Sequence, residues 1–351
     1  QMYYNNETKE NCMKKMKNWR PSASLLAGAA VLGLLVLLVP IVRIMRDAVP
    51  FSDDYGYGYF AKLGYLMGKN LPGVLMGVWE NVKHTWWTWQ GTYSSIFLMS
   101  LVPLVWGEQY YFWGLLFILL LLIGGVFALV KALVVDVLQG GWQQCLYIQA
   151  VTAALVVELM YYPAEGLFWY NGGIHYVGMH GFAMLLLASL ICLSEGKKGR
   201  IRKGLLIAAS MILSLIVAGS NYVTALQTFL VFLTIMVAGA LLHRNIKGLL
   251  RLVPAFFVYS IGFYKNLAAP GNTARAEALG NPGMAPLQAI LFSFKEAFSH
   301  MWEYTGWMTI VVMLVLLPMI LQLVSTTKFR FRLPWLLPVW SVCLYATGFT
   351  S

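Results

Sequence analysis

Long apolar stretches alternate with short polar ones along most of this chain, and their lengths decide what each can become. Residues 24–46 (SLLAGAAVLGLLVLLVPIVRIMR) and 110–130 (YYFWGLLFILLLLIGGVFALV) are each long enough for a helix to cross the ~30 Å hydrocarbon core of a bilayer. Further runs at 145–160, 177–194, 252–264 and 304–324 read the same way, as does a last run from Leu333. Residues 204–243 hold two more, joined by a tight turn at Gly219-Ser220-Asn221. The pattern therefore predicts about nine crossings. Residues 94–106 (SSIFLMSLVPLVW) are too short to cross and are broken by Pro103, which predicts an interfacial or re-entrant helix. The rest of 47–109 is too polar to span and too apolar to be a free linker. Its tryptophans, Trp79, Trp86, Trp87, Trp89 and Trp106, suit helices lying in the membrane interface.

Composition sharpens this. With 59% hydrophobic residues, 11% charged residues and a mean hydropathy of +0.68, a chain of 351 residues cannot hide its apolar surface from water. The fold class is an all-α polytopic membrane protein. The net charge of +11 would suggest nucleic acid in a soluble protein. Here the cations gather in loops that the positive-inside rule puts on one side, so no nucleic-acid partner is expected. They are Lys9, Lys14, Lys15, Lys17 and Arg20 before the first span, then Lys131, then Lys197, Lys198, Arg200, Arg202 and Lys203, then Arg244, Lys247 and Arg251, and finally Lys328, Arg330 and Arg332. Residues 1–23 are thus a basic cytoplasmic segment, and 24–351 form one transmembrane domain. Its outer parts are 47–109, 161–176, the turn at 219–221 and 265–303.

The N-terminus has no small-residue cleavage site, so the first span reads as an anchor. The sequon Asn6-Glu7-Thr8 lies on the cytoplasmic side and is discounted. Cys12, Cys145, Cys192 and Cys343 are too scattered for a metal site or a disulfide framework. A first residue other than Met, and an end at the close of a span, read as a fragment of a longer protein.

The outer segments carry the chemistry. Ser52 is a good N-cap, which places Asp53 and Asp54 in the first turn of a helix running to Lys69-Asn70, before Pro72. The helix dipole favours two acids there by a few tenths to ~1 kcal/mol each. That accounts for the charges but not for a helix starting at a membrane surface, or for Tyr55, Tyr57 and Tyr59 that follow. In EGLFWYNGGIHYV, Glu165, Trp169, Tyr170, Asn171 and His175 cluster around Gly172-Gly173, which permit close backbone approach. Taken singly, the aromatics read as an interfacial belt. In APGNTAR, Asn272 opens a turn before Arg275, which suits either lipid headgroups or a bidentate grip on a phosphate. Asn221 marks the tight turn. Glu158, near the end of its span, pairs or snorkels.

An acid pair just after the first span, in a long outer loop of interfacial helices, resembles the GT-C superfamily of membrane glycosyltransferases. WWTWQGTYSSIFLMSLVPLVWGEQYYFW is similar to the juxtamembrane helices that lead into the second span of those enzymes. SDDYGY, EGLFWYNGGIHY and PGNTAR together resemble a bacterial branch near the O-antigen glucosyltransferases, over roughly residues 24–300.

The resemblance implies transfer of a hexosyl or pentosyl group, with inversion. The sugar would pass from a polyprenyl-phosphate donor to an acceptor hydroxyl on a cell-surface glycan or lipid, at the outer face of a bacterial cytoplasmic membrane. It implies Asp53 as general base, Asp54 orienting the acceptor or a cation, and Arg275 with His175 at the departing phosphate. Tyr55, Glu165, Trp169, Tyr170, Asn171, Asn221 and Asn272 would contact substrates. Some members use a divalent metal, and Asp53, Asp54 and Glu165 are then the candidate ligands for Mg²⁺ or Mn²⁺. Two other readings stay open. A lipid-linked polysaccharide polymerase or ligase relies on outer-loop arginines, of which the later loops here hold only Arg275. A transporter or flippase needs polar mid-span groups and repeats that this chain lacks.

Overall fold

The structure is a computed structural model that describes residues 22–195, 199–241, 246–280, 283–327 and 336–349. The basic N-terminal segment with its sequon, Cys12, Lys197, Lys198, Arg244, and the stretch with Lys328, Arg330 and Arg332 lie outside the described residues, as does Ser351. Every regular element among the described residues is helical.

The first helix, α1 (Ala23–Asp47), is capped by Ser22, whose hydroxyl accepts the Leu25 amide at 3.2 Å. It leaves Leu32, Leu35, Val36 and Val39 exposed, as a lipid-facing helix does. The first outer loop then folds into a hairpin of two helices, α2 (Asp53–Gly68) and α3 (Leu71–Thr88). Lys69 adopts the left-handed conformation that ends α2, and the Asn70 side chain caps α3 by accepting the Gly73 amide at 2.8 Å. Glycines let the two backbones touch: a Cβ on Gly77 would stand 2.1 Å from the Phe60 carbonyl oxygen.

Residues 94–106 become a short helix, α4 (Tyr93–Ser100), and a single turn at Pro103–Val105, too short to cross. Then come α5 (Tyr111–Lys131), prolonged by a π-turn to Val137, α6 (Trp142–Glu158), and α7 (Tyr170–Glu195), which contains a π-turn at Ile174–Gly178. The remaining helices are α8 (Arg200–Ala218), α9 (Tyr222–Leu241), α10 (Ile246–Leu267), α11 (Pro270–Ala278), α12 (Pro286–Thr326, kinked at Gly306) and α13 (Leu336–Ala346).

Among the described residues, six segments are long and apolar enough to cross a membrane: α1, Glu108–Val137 around α5, α7, the body of α8, most of α9, and Ile246–Ala278. Shorter apolar helices lie at Thr309–Ser325 and Leu336–Phe349. This is a multi-pass helical membrane protein.

The core forms where α5 packs between α6 and α7 and where α8 and α10 pack together. From Tyr111 to Lys131, α5 rises ~30 Å, one hydrocarbon thickness. The acid pair lies beside the Tyr111 end. Lys131 lies at the other end, as does Arg251, whose guanidinium donates to the Leu193 carbonyl near the end of α7 at 3.1 Å. Lys131 and Arg251 are therefore about a membrane's width from the acid pair.

Candidate active site

Asp53 and Asp54 are adjacent in sequence but have different surroundings. Asp54 is fully buried, and three donors converge on it. The Tyr111 hydroxyl donates to Oδ2 at 2.6 Å, the Phe51 amide to Oδ2 at 3.1 Å, and the Asn171 amide to Oδ1 at 3.1 Å. Tyr111 in turn accepts the Tyr170 amide at 2.9 Å. One carboxylate thus ties together the start of α2, the start of α5 and the start of α7. Burial pushes the Asp54 carboxyl above its ordinary 3.8, against the three hydrogen bonds, and the neighbouring Asp53 charge adds to the rise.

Ser52 stands where an N-cap was expected, but its backbone has φ 47° and its side chain caps nothing. The Asp54 carboxylate takes the Phe51 amide instead, so the turn is closed from inside the helix. That inward rotation of Asp54 leaves Asp53 exposed at the tip.

Around Asp53 lies a second set of groups. Tyr57, one turn along α2, is half-buried, and its phenol is pushed up to about 12 by burial first and by the Asp53 charge second. Arg275 opposes that rise and Tyr176 adds to it, so the charges of Asp53 and Arg275 both reach Tyr57. Arg275 is held before any ligand arrives: it donates to Gln90 Oε1 at 2.7 Å and lies over the Trp89 ring at 5.3 Å from the centroid. Asn171 is fully buried and neither atom of its side-chain amide has a partner among the described residues; the same holds for His175 Nδ1. Unpartnered buried polar atoms are uncommon enough to call for an explanation.

Asn272, Asn221, Trp169 and Tyr170, also expected to contact substrates, direct their side-chain hydrogen bonds to groups of the protein itself. Asn272 accepts the Gly91 amide at 2.8 Å and the Tyr222 hydroxyl, and donates to the Asn266 and Leu267 carbonyls. Asn221 donates to the His175 carbonyl at 2.7 Å and caps α9 by accepting the Thr224 amide at 2.9 Å. Trp169 donates to the Phe51 carbonyl, and Tyr170 to the Leu98 carbonyl. Tyr55 is exposed on the flank of α2.

Glu165 is exposed on the short helix Pro163–Leu167. No three His, Cys, Asp or Glu side chains converge as a metal site among the described residues. Asp53, Asp54 and Glu165 are therefore not brought together as Mg²⁺ or Mn²⁺ ligands, because the Asp54 oxygens face inward onto Tyr111, Phe51 and Asn171.

Arg275 reaches the site through backbone contact between the end of α3 and the α10–α11 corner. A Cβ on Gly91 would stand 1.9 Å from the Asn266 carbonyl oxygen and 2.7 Å from Ala269 Cβ. Gly91→Ala should therefore pry this corner open at a cost of about 1–3 kcal/mol, read as a lowered unfolding midpoint. An unchanged midpoint would show that the corner yields freely.

Beside the same corner runs an apolar groove of about 480 Å³ between α3, α4, α7 and α8, lined by Trp79, Trp86, Trp87, Phe97 and Phe182, with Lys83 in its wall. Trp86 donates to the Lys265 carbonyl at 3.4 Å, and Trp89 under Arg275 follows about one helical turn later.

Sequence reasoning missed Tyr111, Gln90 and, as a partner of Arg275, Trp89, and it named Tyr57 only as one of three tyrosines following the acid pair. The four-residue spacing of Asp53 and Tyr57 was a usable signal. Tyr111 carried none, since a tyrosine at the start of a span reads as interfacial belt. Comparison with known proteins finds no matching family model, no similar curated protein and no similar solved structure.

Proposed function

We propose that the chain is a GT-C-type inverting glycosyltransferase of a bacterial cytoplasmic membrane, moving a sugar from a polyprenyl-phosphate donor to an acceptor hydroxyl at the outer face. In this reading α6 and the segments around 309–325 and 336–349 also cross, giving about nine spans with the acid pair outward. One observation carries the proposal: Arg275, from a segment far along the chain, is held by Gln90 and Trp89 beside an apolar groove that suits a hydrocarbon tail, and its charge and that of Asp53 both act on Tyr57.

The chemistry follows from that pairing. The donor tail lies in the groove, which sets its phosphate at the height of Trp89 and Arg275. Asp53 accepts the proton of the acceptor hydroxyl while its oxygen bonds to the anomeric carbon. The bond from that carbon to the phosphate oxygen breaks at the same time, and the electron pair leaves with the polyprenyl phosphate. Arg275, already ordered by Gln90 and Trp89, meets the added negative charge without reorganising. Tyr57 stays a neutral phenol and can donate to a sugar or phosphate oxygen.

The test is transfer from a radiolabelled polyprenyl-phosphate sugar by the whole chain in liposomes. Arg275→Ala should lower transfer by about 10²–10³-fold, the cost of losing one preorganised charge donor. Arg275→Lys should recover only part of it, since a point charge lacks the planar fork. Wild-type transfer by Arg275→Ala would remove the arginine from the mechanism.

A further inference from the structure

A second cavity, of about 460 Å³, opens along α2, which does not line the apolar groove, and differs from that groove in chemistry. The Tyr55 and Tyr59 rings lie along it, four residues apart on one helix face and both more than half exposed. Lys62 continues the same face, and Glu108 stands across the cleft beside Gly107. Asp54 and Gly58 are buried at its floor, so it reaches the first turn of α2, where Asp53 stands.

The cleft is preformed. The Lys62 ammonium donates to the Val105 carbonyl at 3.0 Å and braces α2 against the far wall, keeping two further N–H donors. Gly58 permits the close packing beneath, since a Cβ there would stand 2.8 Å from Val102 Cγ1. Gly107, at φ 150°, turns the chain so that Glu108 faces α2 across the opening.

We propose that this cleft binds a neutral pyranose unit of the acceptor, an assignment that rests on the transferase reading above. A pyranose has apolar C–H faces and a polar edge. The two tyrosine rings match the faces, and the Lys62 donors and the Glu108 acceptor match the hydroxyls. A lipid chain is a poor occupant, because a lysine and a glutamate facing one small cleft would lose their hydration to hydrocarbon. The volume falls within the roughly 300–1,000 Å³ of small-molecule sites, enough for one or two sugar rings.

The experiment is saturation-transfer NMR on the whole chain in lipid nanodiscs, with neutral trisaccharides of glucose, galactose or mannose as probes. At least one probe should receive saturation on the protons of one or two rings. Tyr55→Ala with Tyr59→Ala, and separately Glu108→Gln, should weaken its binding by about tenfold or more, from the loss of ring contacts or a hydroxyl acceptor. Both rings are exposed, so unfolding midpoints should hold, and Tyr59→Phe, which keeps the ring, should bind nearly as wild type.

No saturation with any probe, or unchanged binding in the tyrosine and Glu108 variants, overturns the proposal. Asp53→Asn should bind the probe normally, which separates the two ideas. Binding through these residues without any sugar transfer would sink the transferase reading and leave the cleft. Transfer with an acceptor KM untouched by the tyrosine variants would sink the cleft alone.

Discussion

Asp53→Asn should lower sugar transfer by about 10²–10⁴-fold, the range a positioned general base supplies. The substitution keeps the shape of the side chain and removes only its charge and basicity. Asp53 is exposed and starts a helix whose first turn is closed by Asp54, so its loss should leave insertion and the unfolding midpoint nearly unchanged. At a helix N-terminus it forgoes at most about 1 kcal/mol of dipole stabilisation. The measurement is initial transfer rate and unfolding midpoint on the same preparations. Donor binding should survive, because the groove and Arg275 are untouched. Asp53→Cys extends the test to sidedness: an impermeant thiol reagent should modify it from the outer face of intact cells. Full transfer by Asp53→Asn, or modification of the cysteine only after the membrane is opened, would end its role as base.

Much of the architecture was legible because a bilayer imposes simple rules. Runs such as 24–46 and 110–130 must be helices, and the break at Pro103 does prevent a crossing. The order of the outer segments also drew attention to Asp53 and Arg275, whose charges both reach Tyr57.

What the sequence hid was the contrast in surroundings between the two acids, one buried and one exposed. Their opposite environments follow from a rotation of about 100° per helical residue, combined with where Tyr111 and Asn171 happen to stand. Those partners lie far along the chain, and no local pattern announces them. Asn272 and Asn221 were hidden for the same reason. Each looks like a loop asparagine free for substrate until its donors and acceptors are traced to distant backbone groups.

The second large effect is expected at Asp54. Asparagine there offers one carbonyl oxygen where the carboxylate offered two, so its amide must point at the Phe51 N–H or at the Asn171 N–H. One buried donor is then left without an acceptor, a loss of about 1–3 kcal/mol. The unfolding midpoint should fall, in contrast with Asp53→Asn. Transfer should fall too, because the start of α7 that carries Asn171 and His175 loses its tie to α2.

Tyr111→Phe removes another part of the same network, so the double variant should be less destabilised than the sum of the two, with a coupling of about 0.5–3 kcal/mol. The pH dependence gives an independent reading. The folded-state value of Asp54 lies above 3.8, so the native chain holds this proton more tightly than the unfolded chain does. Its contribution to stability is therefore fully present below 3.8 and is lost as pH rises through the raised value, the reverse of a salt-bridged aspartate. Asp54→Asn should flatten that acid limb in a plot of unfolding midpoint against pH, while Asp53→Asn should leave it sloping, though less steeply, since the Asp53 charge contributes to the rise. Identical limbs in wild type and Asp54→Asn would mean that Asp54 does not titrate in the fold as its burial requires. Additive losses for Asp54 and Tyr111 would mean that their hydrogen bond does not couple α2 to α5.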